Sequence, residues 1–335
     1  MLIAHKIALH PNNKQATYFA KASGVARFAY NWALAEWKNQ FRKKGVHDRF
    51  TLTNDQFEVE GSRVRIPCLG WVRMREPLRF TGKLVSATVS RRADTWLISF
   101  TVDTQDLSHL PKAKNHGVVG VDLGVSTLAK LSTGESIKSP KAYAKKFKKL
   151  QRLSRDLSRK VKGSNNRFKA KKKLAKLHAK IGNIRSDSLH KLTTDLTTNF
   201  HTIVTEDLNV KGMMQNRRLS RAIADLGFYE FRRQLDYKAQ MRGGLVHVAD
   251  RWFPSSKLCS VCGYKLDELP LSVRHWTCPV CHSEHDRDLN AAINLRNLAV
   301  SSTVSACGEE GSGFDCKVEV KPASVKQEVN INIYI

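Results

Sequence analysis

Apolar and polar side chains alternate over residues 1–10, which is the period of a half-buried strand. From about residue 13 to residue 44 the apolar positions instead cover one broad side of a helix. Short alternating runs, interrupted by proline and glycine, then recur between residues 47 and 103. We therefore expect residues 1–104 to form a small antiparallel β domain with a helical insertion at 13–44.

The pattern changes after residue 116, where short apolar runs alternate with long helical stretches. Residues 117–134 predict a buried strand followed at once by a second strand, and residues 201–210 predict another short strand. Between them, residues 141–180 predict two amphipathic helices joined by a turn at 163–166. Basic helices are expected over 216–243, followed by a further strand. This alternation predicts the α/β fold class.

Two stretches lack a periodic pattern. Residues 105–115 are expected to be a linker, and residues 301–335 a flexible C-terminal tail. Several aromatic residues near the centre of the second half are predicted to belong to the core rather than to stack on bases. They are Phe228, Tyr229, Phe231, Trp252 and Phe253.

Composition adds a class of partner to this outline, because 57 Lys and Arg residues face 30 Asp and Glu residues, for a net charge of +27. Such a surplus favours binding to a polyanion, with nucleic acid as the first candidate. We expect no signal peptide, and no apolar run approaches the ~20 residues of a membrane span. The seven cysteines indicate a reducing cytoplasm and metal binding rather than a disulfide framework.

Four of the cysteines form two C-x2-C pairs within residues 256–284. Fifteen residues separate the pairs, a spacing typical of a zinc ribbon with four thiolate ligands. Two disulfides or unrelated buried thiols are the alternative, and His275, His282 and His285 are possible substitute ligands. The expected ligands of this structural zinc are Cys259, Cys262, Cys278 and Cys281.

Acidic residues end two of the predicted strands and begin the last helix. Asp122 ends the first strand of the α/β part and is followed by a hairpin, as the first metal-binding acid is in an RNase H-like fold. The flanking glycines would let a phosphate backbone come close. Glu206 ends a later strand, and Asp286 and Asp288 lie in the first turn of the last helix, which is expected to start near Asp286. Each acid alone has an ordinary explanation as a turn former or helix-dipole partner. Together, three converging carboxylates can hold two Mg²⁺ ions.

The stretch 141–180 carries 17 Lys and Arg residues and a single acid, Asp156. A solvated face normally mixes charges of both signs, so we expect this surface to contact phosphates. Basic strands of the β domain are expected to do the same. The candidate nucleic-acid contacts are Arg73, Arg75, Lys145, Lys149, Arg152, Lys169, Lys172 and Lys176.

The motifs GVDLG, TEDLNVKGM, the two C-x2-C pairs and DRDLNAAINL resemble those of the OrfB/TnpB proteins of insertion sequences. These are RNA-guided DNA endonucleases related to type V CRISPR effectors. The resemblance implies a RuvC-like nuclease domain at 116–255 and 285–300, a nested zinc ribbon at 256–284, and a preceding wedge-type β-barrel. It also implies a guide RNA derived from the element and a double-stranded DNA target.

By position in these motifs, the resemblance makes Asp122, Glu206 and Asp288 the catalytic acids of a two-Mg²⁺ phosphodiester hydrolysis, with Asp286 as the alternative third acid. The chain departs from the family pattern in one respect, since the helical lobe expected after NWALAEW is short. Two other functions therefore stay open at this point. One is an RNA-guided DNA-binding protein that represses without cutting, and the other is an accessory or regulatory protein of transposition.

Overall fold

A computed structural model of the chain describes residues 2–36, 49–104, 112–114 and 116–306. The end of the predicted first helix, from residue 37, lies outside these residues. So do most of the predicted linker and the predicted tail from residue 307. None of the described helices is both long and apolar enough to span a membrane.

The described strands between residues 2 and 103 form an antiparallel sheet in the order β2-β6-β7-β1-β5-β4-β3. The strands are β1 (Leu2–His10), β2 (Arg49–Thr53), β3 (Glu58–Glu60), β4 (Arg63–Ile66), β5 (Gly70–Met74), β6 (Lys83–Arg92) and β7 (Thr95–Asp103). β1 pairs with β7 through residues 2–8 and with β5 through Leu9 and His10, so it joins two halves of the sheet. Burial alternates along β7, as its two-residue sequence period predicts.

The helix α1 (Asn13–Glu36) follows β1 and packs on this sheet. Asn12 and Gln15 begin it with a reciprocal pair of side chain to backbone hydrogen bonds of 2.9 and 3.0 Å. The buried ring of Phe19 lies with its centroid 5.1 Å from that of Trp96 on β7. The helix therefore shares the core of the β domain. A short 3-10 helix, Asn54–Gln56, follows β2.

The second sheet has five strands in the order β10-β9-β8-β11-β12. They are β8 (Val118–Asp122), β9 (Ala129–Leu131), β10 (Ser136–Ile137), β11 (Thr202–Glu206) and β12 (Leu245–Ala249). β8, β11 and β12 are parallel, while β9 and β10 run antiparallel beyond β8. The central strands are buried on both faces, which accounts for their continuous apolar runs.

Helices cover both faces of this sheet. They are α2 (Ala142–Ser158), α3 (Asn165–Asn199), α4 (Val210–Gln215), α5 (Ser220–Leu226), α6 (Phe228–Arg242) and α7 (Arg287–Ala306). Apolar residues of α3, α5 and α6 pack with Val119, Val121 and Ile203 on one face. On the other face, Leu295 and Ala299 of α7 pack with Val204 and Ala249.

A small two-stranded sheet, β13 (His275–Thr277) and β14 (Glu284–Asp286), lies between β12 and α7 in the chain and brings the four cysteines together. The structure corrects one boundary here. α7 continues through Ala306, so residues 301–306, predicted as the start of the tail, are helical.

The core prediction for the aromatic residues is correct in part. Phe228 and Phe231 are buried, and Phe253 packs in the cluster around Leu295. Tyr229 and Trp252, however, are 75% and 84% exposed, so the prediction is wrong for both. Each precedes or follows a packed aromatic residue, and hydrophobicity alone does not say which of two adjacent rings faces the core.

Candidate active site and zinc site

Three acidic residues lie at the carboxyl edge of the five-stranded sheet. Asp122 and Glu206 end β8 and β11, which are parallel neighbours with Val121 opposite Thr205. Asp288 lies in the first turn of α7, the helix that packs on β8. Parallel strands present their carboxyl ends at one edge, so the two strand-end acids lie side by side and the helix adds the third.

The electrostatics of Asp122 reflect this arrangement. Burial, followed by the charges of Glu206 and Asp288, raises the pKa of the Asp122 carboxyl from its ordinary value of 3.8 to about 8. Arg287 and Arg274 oppose the rise but do not cancel it. A carboxylate that is destabilised by two neighbouring acids is stabilised by a cation placed among them.

Each of the other two acids has a specific partner. The Ser255 hydroxyl donates a hydrogen bond to Oε1 of Glu206. Arg274, at the edge of the small sheet, donates from Nη1 to Oδ1 of Asp288 over 3.1 Å. Both partners lie on the segment between β12 and α7, so this segment bounds the carboxylates on one side.

Two further acids nearby have other tasks. Asp286, the alternative third acid, accepts a hydrogen bond from the backbone nitrogen of Leu289 over 2.8 Å and so caps the beginning of α7. Asp207, next to Glu206, forms an ion pair with Arg251. The structure therefore gives Asp286 a structural partner at the helix terminus and leaves Asp288 in the group around Asp122.

The glycine before the acid on β8 explains how α7 reaches the strand. A Cβ atom on Gly120 would overlap the carbonyl oxygen of Ala292 and lie 2.7 Å from the backbone nitrogen of Arg296. Only glycine permits so close an approach of helix and strand. The sequence suggests that glycines here make room for phosphate, whereas the close neighbour of Gly120 is the helix that carries Asp288.

The four predicted zinc ligands form one cluster. The ligand atoms of Cys259, Cys262, Cys278 and Cys281 all lie within 4.8 Å of one another, and two of the sulfur pairs are 3.6 Å apart. Zinc–sulfur bonds of about 2.3 Å in a tetrahedron place the sulfurs about 3.8 Å apart. All four cysteines are free thiols, and these two sulfur pairs, at 3.6 Å, are too far apart for disulfide bonds. The cluster could therefore hold a zinc ion.

The two C-x2-C turns are built alike. The residue after each second cysteine, Gly263 or His282, has positive φ, 77° and 58°, and its backbone nitrogen donates 3.0 Å to the carbonyl of the first cysteine. His282 thus occupies the position that glycine occupies in the first turn. Its side chain is exposed, and that of His275 also lies on the surface.

His285 is the substitute ligand that lies nearest the cluster. Its Nε2 is 3.1 Å from Sγ of Cys259, and its ring lies on that of Trp276 with centroids 4.6 Å apart. Burial lowers the pKa of His285. A neutral imidazole that hydrogen-bonds a ligand sulfur supports a cysteine site from outside.

Two asparagines of α7, the helix that carries Asp288, bind the backbone around the first C-x2-C turn. Asn290 donates to the carbonyl of Leu258 over 2.7 Å and accepts from the backbone nitrogen of Ser260 over 3.0 Å. Asn294, one turn later, donates to the carbonyls of Ser255 and Leu258. Sequence reasoning missed this connection, although buried amides spaced by four residues on an apolar helix face are a signal for it.

The predicted nucleic-acid contacts fall into two groups. Lys172 and Lys176 form ion pairs of 2.6 and 2.7 Å with Asp94, in the turn between β6 and β7, and so connect α3 to the β domain. The others have exposed side chains, on β5 or just after it and on the α2–α3 pair. They are Arg73, Arg75, Lys145, Lys149, Arg152 and Lys169.

The fold and its site define an α/β protein with an acidic cluster and a four-cysteine cluster that could hold a metal ion, and comparison with known proteins identifies the family. A family model described as "Probable transposase", OrfB of IS605, matches residues 98–217. Models described as "Cas12f1-like, TNB domain" and "Helix-turn-helix domain" match residues 228–295 and 1–45.

Two curated relatives cover most of the chain. A protein of Streptomyces pristinaespiralis named "Putative RNA-guided DNA endonuclease" is 39% identical over 95% of this chain and 76% of its own length. The Escherichia coli K12 protein InsQ, with the same description, is 39% identical over 92% of this chain and 94% of its own length. The chain therefore belongs to the OrfB/TnpB family, which confirms the resemblance drawn from the motifs.

Among solved structures, a Cas12f1 chain in a complex with single-guide RNA and target DNA is similar over 64% of this chain and 46% of its own length. The TM-score is 0.46 and the sequence identity is 18%.

Proposed function

We propose that this protein is an RNA-guided DNA endonuclease of a transposable element that hydrolyses phosphodiesters with two Mg²⁺ ions at Asp122, Glu206 and Asp288. The observation that carries the proposal is the convergence of these acids from two parallel strand ends and one helix. The curated relatives are named as endonucleases of this kind, which supports nuclease activity in general.

The strand order supports an RNase H-like, RuvC-type nuclease domain. An antiparallel meander of three strands, β8, β9 and β10, is extended beyond β8 by the parallel strands β11 and β12. In this arrangement the first acid ends the central strand of the sheet. We further propose the boundaries 116–255 and 285–306 for this domain, which now ends with α7, with the ribbon at 256–284 nested in it and a wedge-type β-barrel at 1–104.

The donor set fits magnesium, which prefers carboxylate oxygens and keeps part of its water shell. Within the described residues, the four cysteines are the group whose ligand atoms all lie within 4.8 Å of one another. The three acids are not packed this closely, so they do not form a closed shell. A pair of ions shared among three acids would need carboxylates that are farther apart than the ligands of one enclosed ion. An open arrangement of acids therefore suits a pair of ions better than a single enclosed one.

The position of each acid suggests its task. Asp122 is the acid on which the charges of both Glu206 and Asp288 act, so we propose that it would take part in holding both ions. Glu206 would hold one ion and Asp288 would complete the other. When bound, the Mg²⁺ pair would activate a water molecule and neutralise charge at the scissile phosphate. Ser255 would fix the orientation of Glu206, and Arg274 would orient Asp288.

The exposed basic residues of α2 provide a surface for the nucleic acid. Lys145, Lys149 and Arg152 follow one another at four- and three-residue spacing, so they share one face of the helix. The opposite face packs through Leu150 against α3. Contacts of this kind would position the guide RNA or the DNA target without reading its sequence.

Cleavage of a plasmid tests the proposal directly. The protein would be purified with RNA transcribed from its element and incubated with a matched plasmid in the presence and absence of Mg²⁺. We expect cleavage by the wild type with Mg²⁺ and none by Asp122→Ala. Asp236→Ala is the matched control, since Asp236 is an exposed acid on α6 that pairs with Arg232. If the protein binds the matched plasmid but neither the wild type nor any variant cleaves it, the RNA-guided repressor would be favoured instead.

A further inference from the structure

The residues that follow β12 form a short loop, here called the 250–255 loop. It is held beside Glu206 both where it begins and where it ends. At the start, Ala249 pairs with Glu206 in the parallel ladder between β12 and β11. At the end, the Ser255 hydroxyl donates to the Glu206 carboxylate. The loop therefore begins and closes beside one of the three acids.

Internal hydrogen bonds hold the loop in one shape. Asp250 accepts from the backbone nitrogen of Trp252 through its side chain, over 2.8 Å, and from that of Phe253 through its carbonyl, over 3.0 Å. Arg251 is paired with Asp207, and Phe253 packs against the α7 cluster. The residues on either side of Trp252 are thus fixed to the body of the nuclease domain.

Trp252 itself is directed into solvent. It is 84% exposed, the highest value among the large hydrophobic residues that the structure describes as exposed. A large ring that faces water, on a loop held by internal hydrogen bonds, gains none of the stabilisation that burial gives its neighbour Phe253. Folding therefore does not account for a tryptophan at this position, whereas binding would.

The reach of the chain limits how far this ring lies from the acids. Trp252 is three positions along the chain from Ala249 and three from Ser255, and an extended chain covers at most about 3.6 Å per position. The Cα atom of Trp252 therefore lies within about 11 Å of each end of the loop. A nucleotide next to a phosphate bound at the acids is therefore within reach of this loop.

We infer that Trp252 is a stacking platform for a base of the DNA strand that occupies the carboxylate site. This inference rests on the proposed nuclease function, since it takes the acids as the place where a phosphate binds. Stacking on an aromatic ring is tolerant of sequence because every base has a π face, which suits an enzyme whose specificity comes from elsewhere. The net charge of +27 favours a nucleic acid over a protein at this exposed ring.

A fluorescent base reports the stacking without cleavage. The full-length protein with its RNA would carry Asp122→Asn in all samples, and single-stranded DNA oligonucleotides would carry 2-aminopurine at successive positions. We expect quenching at one or two adjacent positions, abolished in Trp252→Ala and largely kept in Trp252→Phe. The affinity for the strand should fall about tenfold in Trp252→Ala, as expected when one base no longer stacks on a ring. Trp71→Ala, which alters a partly exposed tryptophan of the β domain, serves as the control.

The outcomes separate this inference from the nuclease proposal. Quenching that is unchanged in Trp252→Ala, or that disappears in Trp71→Ala instead, would overturn the inference even if the wild type cleaves its plasmid. Quenching that depends on Trp252 would uphold the platform even if the wild type fails to cleave, and the nuclease proposal alone would then fall. Because Trp252 is exposed, the alanine variant should fold, and the phenylalanine variant checks this by retaining a ring at the same position.

Discussion

Gly120 of β8 lies directly against the backbone of Ala292 of α7, with no room for a side chain between strand and helix. The contact occurs two residues before Asp122 and four residues after Asp288. The distance between two of the acids therefore depends on the absence of a single methyl group.

Gly120→Ala should consequently push α7 away from β8. We expect a loss of about 2 kcal/mol or more in the free energy of unfolding, typical of overpacking, together with a strong loss of cleavage. Urea denaturation and the plasmid assay would measure the two effects. Gly24→Ala is the control, because Gly24 lies within α1 with nothing close to its Cβ position, and alanine is favoured in a helix by up to about 1 kcal/mol. Equal stability of the two variants would show that the helix can adapt.

The proposed zinc ribbon gives a prediction that distinguishes the four cysteines expected to bind the ion from the residues of the two C-x2-C turns. His282 has a positive φ of 58°, so His282→Gly should keep its zinc and unfold no more easily than the wild type. Gly263→Ala, at the equivalent position with φ of 77°, should be destabilised. Cys278→Ser should lose one equivalent of zinc and much of the stability around the site. Zinc content would be measured on the purified proteins, and loss of zinc in His282→Gly would make His282 a ligand.

The raised pKa of Asp122 predicts how stability depends on pH without magnesium. The folded protein holds a proton on Asp122 between about pH 4 and pH 8, whereas the unfolded chain releases it near pH 3.8. Stability should therefore fall as the pH rises through this window. Asp122→Asn carries no ionisable group, so it should be more stable than the wild type at pH 8 and show a flatter profile.

Urea unfolding in Mg²⁺-free buffer, without a chelator so that zinc is retained, would measure both profiles. The difference between wild type and Asp122→Asn isolates this carboxyl from the other titrating groups. If the two profiles run parallel from pH 4 to pH 8, the acids around Asp122 do not interact as the structure indicates.

Much of this organisation could be predicted from the sequence because it rests on local patterns. The apolar runs before Asp122 and Glu206 predict the strands whose ends hold them, and the spacing of the four cysteines predicts their cluster. The contact of Gly120 with α7 joins residues far apart in the chain, so no periodic pattern in the local sequence predicts it. The same holds for Lys172 and Lys176, whose partner Asp94 lies in another domain. The prediction that Trp252 is buried was wrong because hydrophobicity does not indicate which of two adjacent rings packs in the core.

The two groups of basic residues should differ in their salt dependence. Replacing Lys145, Lys149 and Arg152 by alanine should reduce the slope of log affinity for DNA against log salt by up to about 0.9 for each phosphate that is no longer neutralised. Replacing Lys172 and Lys176 should change this slope less, because both already pair with Asp94. Titrations at several salt concentrations would give the slopes, and equal slopes for the two variants would contradict this division.

The binding of Mn²⁺ in place of Mg²⁺ tests the central claim most directly. The zinc-loaded protein would be titrated with Mn²⁺, and the free ion would be followed by electron paramagnetic resonance. We predict two Mn²⁺ bound by the wild type and by Asp236→Ala, displaced by Mg²⁺, and at most weak binding by Asp122→Ala. Equal Mn²⁺ binding by Asp122→Ala and the wild type would contradict a metal site built on Asp122, Glu206 and Asp288.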